Sequence, residues 1–326
     1  MIRARIVGTG SYVPEKVLTN QDLEHIVDTS DEWIVARTGI KERRITTNGE
    51  ASSTLATFAA QNALEMAGIS PEELDVIVVG TVTPDMFFPS VGCIVQDKLG
   101  AKKAAAFDVS AGCTGFIYAL SIADTFIKSG NYKKALVVGT ENLSKITDYQ
   151  DRGTCVLLGD GAGAVVLVGE EGERGILSTH LHSDGSCGNL LYQPGGGTAI
   201  PASYESIDKR LHYLKMDGNK LFKVAVKSLE EAVLETLAFN NIDNSEIDLF
   251  IPHQANLRII QAIAKRLNLP EEKVVVNIDK YGNTSSASIP IALDEANRGG
   301  RISDDNLLLF NAFGAGLTWG AALVRW

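Results

Sequence analysis

Cys113 stands in DVSAGCTGFIYAL, where the run AAAFDV reads as a strand, Ser110, Ala111 and Gly112 turn, and an apolar helix is predicted from about Thr114. Strand, tight turn, cysteine and helix make an elbow that presents a nucleophile, and the partial positive charge of a helix N-terminus favours the thiolate. Cys93, Cys155 and Cys187 lack that setting and read as ordinary small buried residues. His253, in DLFIPHQAN, follows an apolar strand and precedes a helix over 257–267. That puts an imidazole at the carboxyl end of a strand, where open α/β sheets have their ligand crevices. Asn283, in KYGNTSSASIP, follows the run KVVVNI, read as a strand, and also precedes a helix. His180 and His182 share one face of a strand and could hold a metal, but no carboxylate or cysteine is patterned with them, so they read as surface residues. His25 and His212 have polar neighbours and suggest no chemistry.

Bringing positions 113, 253 and 283 together is the work of the elements between them. Short apolar runs alternate with amphipathic helices, the α/β pattern of a mostly parallel sheet covered on both faces. One unit, a helix from Ser53 to about Gly68, then ISPEEL and DVIVVGTVT, recurs 173 residues later as the helix 220–240, IDNSEI and DLFIPHQAN. The same offset carries ALVVGT, beginning at Ala135, onto LLFNAF, beginning at Leu308, and KLG (98–100) corresponds to RLN (266–268). The period is too long for a solenoid, so the chain reads as two similar halves, 1–172 and 173–326, meeting near Gly172. The repeat puts the regions of Cys113 and Asn283 on one rim. Each half also ends in a glycine-rich strand hairpin, GDGAGAVVLV (159–168) and FGAGLTWGAALV (313–324). GDGAGA lacks the GxGxxG spacing and runs into β-branched residues, and Pro14 breaks any helix after GTGSYVP, so these glycines are read as close packing and not as dinucleotide loops.

The composition, 326 residues with 45% hydrophobic and 21% charged, is that of a compact globular protein. Forty acidic against 30 basic residues give −10, which excludes a general binder of nucleic acid or anionic membrane. No CxxC pair suggests a tetrahedral metal site, and four scattered cysteines suit a reducing cytosol, so a cytoplasmic location is expected. The opening MIRARIVGTGSYVPEKVL lacks the continuous apolar stretch of an export signal. The uncharged run 306–324 contains Asn306, Asn311, Thr318 and three glycines, which predicts two buried strands and a tight turn, not a membrane span.

With these motifs together, the chain resembles the β-ketoacyl-[acyl-carrier-protein] synthase III family, initiating condensing enzymes of the thiolase-like superfamily. The resemblance runs end to end, through TSDEWIVARTGIKERR (29–44), the cysteine elbow, DRGTCVLLGDGAGA (151–164), MDGNKLFKVAV (216–226), IPHQAN, YGNTSSASIP and FGAGLTWG. It implies a duplicated α/β fold layered α-β-α-β-α and a catalytic set of Cys113, His253 and Asn283. It also implies an oxyanion hole from the backbone N–H groups of Cys113 and Ala315. Alanine at 315 departs from the glycine common in the family, and a methyl disfavours positive φ. The implied reaction joins a short-chain acyl-CoA to a malonyl-loaded acyl carrier protein, with the acyl-CoA as substrate and no cofactor. Cysteine would hold the first acyl group as a thioester, and two neutral donors would stabilise the enolate left by decarboxylation.

By the same resemblance Trp33 and Arg37 sandwich the adenine of coenzyme A with Arg152 beside it, and Gly218, Phe222 and Asn256 line the pantetheine tunnel. Without it, Trp33 would read as core. Lys220, Lys223 and Lys227 fall on one helical face, and Arg258, Lys265 and Arg266 lie on the helix after His253. Charge alone would make these solvated helix faces; with the acidic carrier protein that the resemblance implies as partner, they are read as a docking patch, with Lys223, Arg258, Lys265 and Arg266 as its centre. Phe88 matches a residue that reaches across a homodimer into the neighbour's acyl pocket. Two other readings share these residues: a secondary-metabolite ketide-forming acyltransferase of the same fold, and a papain-like cysteine hydrolase. The latter has its histidine and asparagine about 130–150 residues after the cysteine. Here they follow at 140 and 170, and the internal repeat and the missing C-G-[SA]-C-[WY] signature speak against it.

Overall fold

The computed structural model covers residues 1–326. A first sheet holds β1 (Ile2–Tyr12), β2 (Val76–Gly80), β3 (Ala105–Val109), β4 (Lys134–Asn142) and β5 (Asp160–Glu171), in the order β1-β5-β4-β2-β3. A second holds β6 (Gly175–Ser183), β7 (Leu249–Pro252), β8 (Leu307–Gly314) and β9 (Thr318–Arg325), in the order β7-β8-β9-β6. Four strands of the first sheet match the second in order, and β1, β2 and β4 begin 173 residues before β6, β7 and β8. In each sheet the parallel pair (β2 with β4, β7 with β8) is extended by two antiparallel strands. Gly172 lies in the link between the sheets, with φ 151°.

The repeat is incomplete in one place. The counterpart of β3 is only a bridge between Phe250 and Val274, so KVVVNI does not form the expected strand. Gln254 takes its place: the side-chain amide donates to Val275 O at 3.1 Å and accepts from Asn277 N at 3.0 Å, occupying groups that a ladder would have used. GDGAGAVVLV likewise is not a hairpin: from Asp160 on it belongs to the single strand β5.

The helices are α1 (Asp31–Thr38), α2 (Ser52–Ala67), α3 (Val91–Leu99), α4 (Gly115–Lys128), α5 (Gly218–Asn240), α6 (Leu257–Arg266) and α7 (Ser288–Arg298). α2 and α3 cover the outer face of the first sheet, α4 and α7 fill the space between the sheets, and α5 and α6 cover the second, giving five layers, α-β-α-β-α. Position explains composition. α4 touches both sheets and buries Phe116, Ile117, Ala119, Leu120, Ala123 and Ile127, so it is apolar nearly all round. All of β2 is buried, and each Val or Ile there contributes about 1.5–3 kcal/mol, which is why the run is unbroken. The glycines of β5 do provide close packing: a Cβ on Gly163 would lie 2.7 Å from Pro290 at the start of α7. The main core draws on both sheets and on α4 and α7, so the elements carrying Cys113 and Asn283 are packed as one body.

Candidate active site

Cys113 lies in a 3-10 turn, Gly112–Thr114, that leads directly into α4. The turn is pressed against residues 314–316, which join β8 to β9: a Cβ on Gly314 would sit 2.3 Å from Cys113 N, and one on Gly112 2.6 Å from Ala315 N. Thr318 Oγ1 ties the turns together by donating to Ala111 O at 2.7 Å. The backbone N–H groups of Cys113 and Ala315 lie close enough to the sulfur to favour its ionised form, so both border the place where an acyl carbonyl on the sulfur would sit. The residues with positive φ are Gly112 (55°) and Gly316 (139°); Ala315 is outside that region and its methyl costs no backbone strain. A Gly314→Ala variant should acylate at least about 100-fold more slowly, the cost of a displacement of about 1 Å at a reacting centre. Time-resolved intact-mass spectrometry checks this, with circular dichroism reporting the fold.

One expectation is overturned. The elbow was expected to favour the thiolate, but burial pushes the Cys113 thiol up to about 11, outweighing the Ser285 hydroxyl and the two backbone N–H groups that lower it. At neutral pH the resting group is a thiol.

His253 and Asn283 are held by one short segment. Ser288, at the start of α7, bonds His253 Nδ1 through its hydroxyl at 2.6 Å, while Gln254 N–H donates to the same oxygen at 3.3 Å. When the hydroxyl donates to Nδ1 the ring proton sits on Nε2, the tautomer that can offer an N–H to a substrate oxygen. Nε2 has no hydrogen bond within the chain and is not sealed from the pocket. Burial alone lowers the His253 pKa to about 3, so the ring is neutral at working pH. Asn283 is clamped to the first half: its N–H donates to Leu157 O at 2.8 Å and its carbonyl accepts from Gly159 N at 2.9 Å. Ser285 N–H donates to its side-chain oxygen at 2.8 Å, which fixes the flip and leaves Nδ2 free as a donor. Ser288→Ala should slow condensation and leave acylation of Cys113 unchanged, since it frees the His253 ring and the Gln254 N–H and removes no hydrogen bond of the Cys113 turn; parallel assays of the two steps check it.

Cys113, Asn283, Ser285 and Ala315 line one cavity of ≈ 60 Å³, closed mainly by apolar residues including Leu143, Leu158 and Leu214; His253 lines a separate one of ≈ 20 Å³. A larger open groove of ≈ 680 Å³ runs past Met86, Phe87 and Lys145 and does not contain Cys113. Sequence reasoning passed over Glu141, a buried carboxylate on β4 that reaches Ser285; its only signal is an acid closing the apolar run ALVVGTEN.

Trp33 has two guanidinium groups over its ring, Arg37 at 4.6 Å and Arg152 at 4.9 Å from the centroid, and is only partly buried. Gly218 opens α5, Phe222 lies one turn on and is 38% exposed, and Asn256 caps α6 while donating to Arg37 O at 3.1 Å. These three lie outside the Cys113 cavity. The basic patch is partly neutralised: Lys220 pairs with Asp217, Lys227 with Glu231 and Arg266 with Glu230, and Arg258 donates to Ala36 O. Lys223 and Lys265 keep no carboxylate partner. Phe87 and Phe88 are 80% and 84% exposed in the single chain.

Three minor readings change. Glu235 on α5 accepts from both His180, at 3.2 Å, and His182, at 2.6 Å, a carboxylate partner contributed by a different element. Cys93 is exposed and Cys187 only partly buried, so of the three remaining cysteines only Cys155 is a core residue.

Two sheets of one repeated topology, with a buried thiol at a turn of the first half and a neutral imidazole and an amide in the second, are the frame of a thiolase-like condensing enzyme, an acyltransferase. The match narrows further. Residues 107–185 fit the family described as 3-Oxoacyl-[acyl-carrier-protein (ACP)] synthase III, and residues 237–326 fit its C-terminal counterpart. The chain is 56% identical over 325 residues to the beta-ketoacyl-[acyl-carrier-protein] synthase III of Caldanaerobacter subterraneus subsp. tengcongensis, covering 100% of this chain and 98% of that one. It is 57% identical to that of Xanthomonas campestris pv. campestris, covering 100% and 99%. The crystal structure of 3-oxoacyl-[acyl-carrier-protein] synthase III from Aquifex aeolicus VF5 superposes with a TM-score of 0.92 at 54% identity, over 99% of this chain and 100% of that one. The chain therefore belongs to the β-ketoacyl-[acyl-carrier-protein] synthase III family.

Proposed function

We propose that the chain joins a short-chain acyl group from acyl-CoA to a malonyl-loaded acyl carrier protein, releasing CO2 and a β-ketoacyl product through an acyl-Cys113 intermediate. The observation carrying this reading is the pairing of a thiol under two backbone N–H groups with two unengaged neutral donors, His253 Nε2 and Asn283 Nδ2. Sulfur attacks the acyl-CoA carbonyl while the N–H groups of Cys113 and Ala315 take the oxyanion. The malonyl thioester then loses CO2, His253 and Asn283 hold the enolate oxygen, and its carbon displaces the cysteine. A hydrolase would need a basic imidazole to make the thiolate, which a ring with a pKa of about 3 does not supply. A cavity of ≈ 60 Å³ holds roughly four water-sized positions, which suits a starter of a few carbons.

Incubation with acetyl-, propionyl-, isobutyryl- and isovaleryl-CoA should add one acyl group per chain at Cys113, discharged by the malonyl-loaded carrier. Absence of an adduct with every donor would sink the reading. The adenine of CoA would stack on Trp33 between Arg37 and Arg152, so Trp33→Ala should raise KM for acyl-CoA about 10-fold and spare the carrier's KM. Lys223, Arg258, Lys265 and Arg266 would dock the acidic carrier. Two copies would pair so that the exposed Phe88 of each closes the other's acyl pocket, and the enzyme would work in the cytoplasm.

A further inference from the structure

Glu141 is fully buried on β4 and has no basic partner. It accepts from Thr83 Oγ1 at 2.6 Å, Val82 N at 3.2 Å, and the hydroxyls of Ser285 and Ser286 at 3.1 Å each. Thr81 Oγ1 approaches at 3.3 Å. A carboxylate without a counter-charge is costly to bury, and none of the steps derived above uses it. Ser285 connects it to the chemistry. Its hydroxyl donates to Glu141 at 3.1 Å on one side and lines the same cavity as the Cys113 sulfur on the other, where its presence favours the ionised form. Ser285 is also held at φ 50°, a left-handed conformation that a residue other than glycine keeps only under constraint. A single hydroxyl proton therefore stands between two acceptors.

We propose that Glu141 is a positioning residue that takes the Cys113 proton through Ser285. This rests on the thiol-acylation reading above. As sulfur attacks the acyl-CoA carbonyl, the Cys113 S–H bond breaks and its proton passes to Ser285 Oγ. Ser285 passes its own proton to Glu141 Oε1, and coenzyme A leaves as a thiolate that is protonated by solvent. When the enolate later displaces Cys113 as a thiolate, the same path returns the proton from Glu141. The cycle consumes one solvent proton, as release of CO2 and free CoA thiol from a malonyl carboxylate requires.

Glu141 is suited to this. Burial raises it to about 7, near working pH, where a proton acceptor is most effective, while four hydrogen bonds restrain the rise. The other titratable groups facing this region are Cys113 itself, His253, which is neutral, and Asp160 on β5, which is turned to Thr46 and Ser144.

Alkylation of Cys113 by iodoacetamide from pH 5.5 to 9 tests the relay without any acyl donor, so its result stands apart from the proposed reaction. In the wild type the rate should rise in a step near pH 7 as Glu141 ionises. Glu141→Gln should lose the step and react about 100-fold more slowly at pH 7.5, within the range of general-base effects, and Glu141→Asp should restore the step. A purely electrostatic role predicts the reverse, because the Glu141 charge raises the Cys113 pKa and removing it would speed alkylation. Ser285→Gly removes the hydroxyl, tolerates φ 50° and keeps the N–H that orients Asn283, so it decides the matter even if the Glu141 variants do not fold. Loss of the step in Ser285→Gly supports the relay; its retention, or unchanged or faster alkylation of Glu141→Gln, overturns it.

Discussion

Cys113→Ala should carry no acyl group after incubation with any acyl-CoA, and condensation should fall by at least about 10⁴-fold, the scale of losing a nucleophile. The change removes one sulfur and little else, because the elbow is held by backbone packing against Gly314 and Ala315 and not by the side chain. Release of CO2 from the malonyl-loaded carrier should persist, since the enolate is held by His253 and Asn283, neither of which depends on the thiol for position: Ser288 holds one and Ser285 N–H the other. Intact mass and CO2 release, measured on one preparation, separate the steps. An adduct on Cys93, the exposed thiol, would show a second reactive cysteine and remove the special role assigned to the elbow.

The duplicated fold and the strand, turn and helix around Cys113 were legible in the sequence because each rests on a local pattern. A 173-residue offset gives the topology, and runs such as VIVVG and LFIP mark strands buried on both faces. What was not legible depends on the third dimension. The state of the Cys113 thiol turns on burial, a sum over both halves that outweighs the nearby hydroxyl and N–H groups favouring the thiolate and that DVSAGCTG alone does not show. KVVVNI has the composition of a strand, but the Gln254 side chain, more than twenty residues away, occupies its backbone groups. The carboxylate at Glu235 comes to His180 and His182 from another element, and Glu141 reaches the nucleophile only because residues 285 and 286 from the second half pack onto β4. Residue type and spacing show what a segment can do, but which charge a side chain carries depends on what other segments enclose it.

Asn283→Asp should leave acylation of Cys113 intact and lower condensation by about 10²–10³-fold, the cost of losing one oxyanion donor. One carboxylate oxygen can still accept from Ser285 N–H, so the residue keeps its place. The other replaces Nδ2, putting negative charge where the enolate oxygen becomes negative. In a cavity lined chiefly by apolar residues, desolvation should raise that aspartate's pKa above its ordinary value. The sign of the pH dependence follows. Below the raised pKa the group is a neutral acid and donates a hydrogen bond, as the amide did; above it the group is an anion and repels the enolate. Condensation by Asn283→Asp, relative to wild type, should therefore recover as pH falls. The wild-type pair, a permanent amide and an imidazole neutral down to about pH 3, gives this step no such dependence near neutrality. Stability should follow the same direction: raised in the folded state, the carboxyl costs nothing while protonated and destabilises the variant as pH rises through its pKa. A ratio of variant to wild-type condensation that stays flat or rises with pH would place Asn283 outside the enolate site.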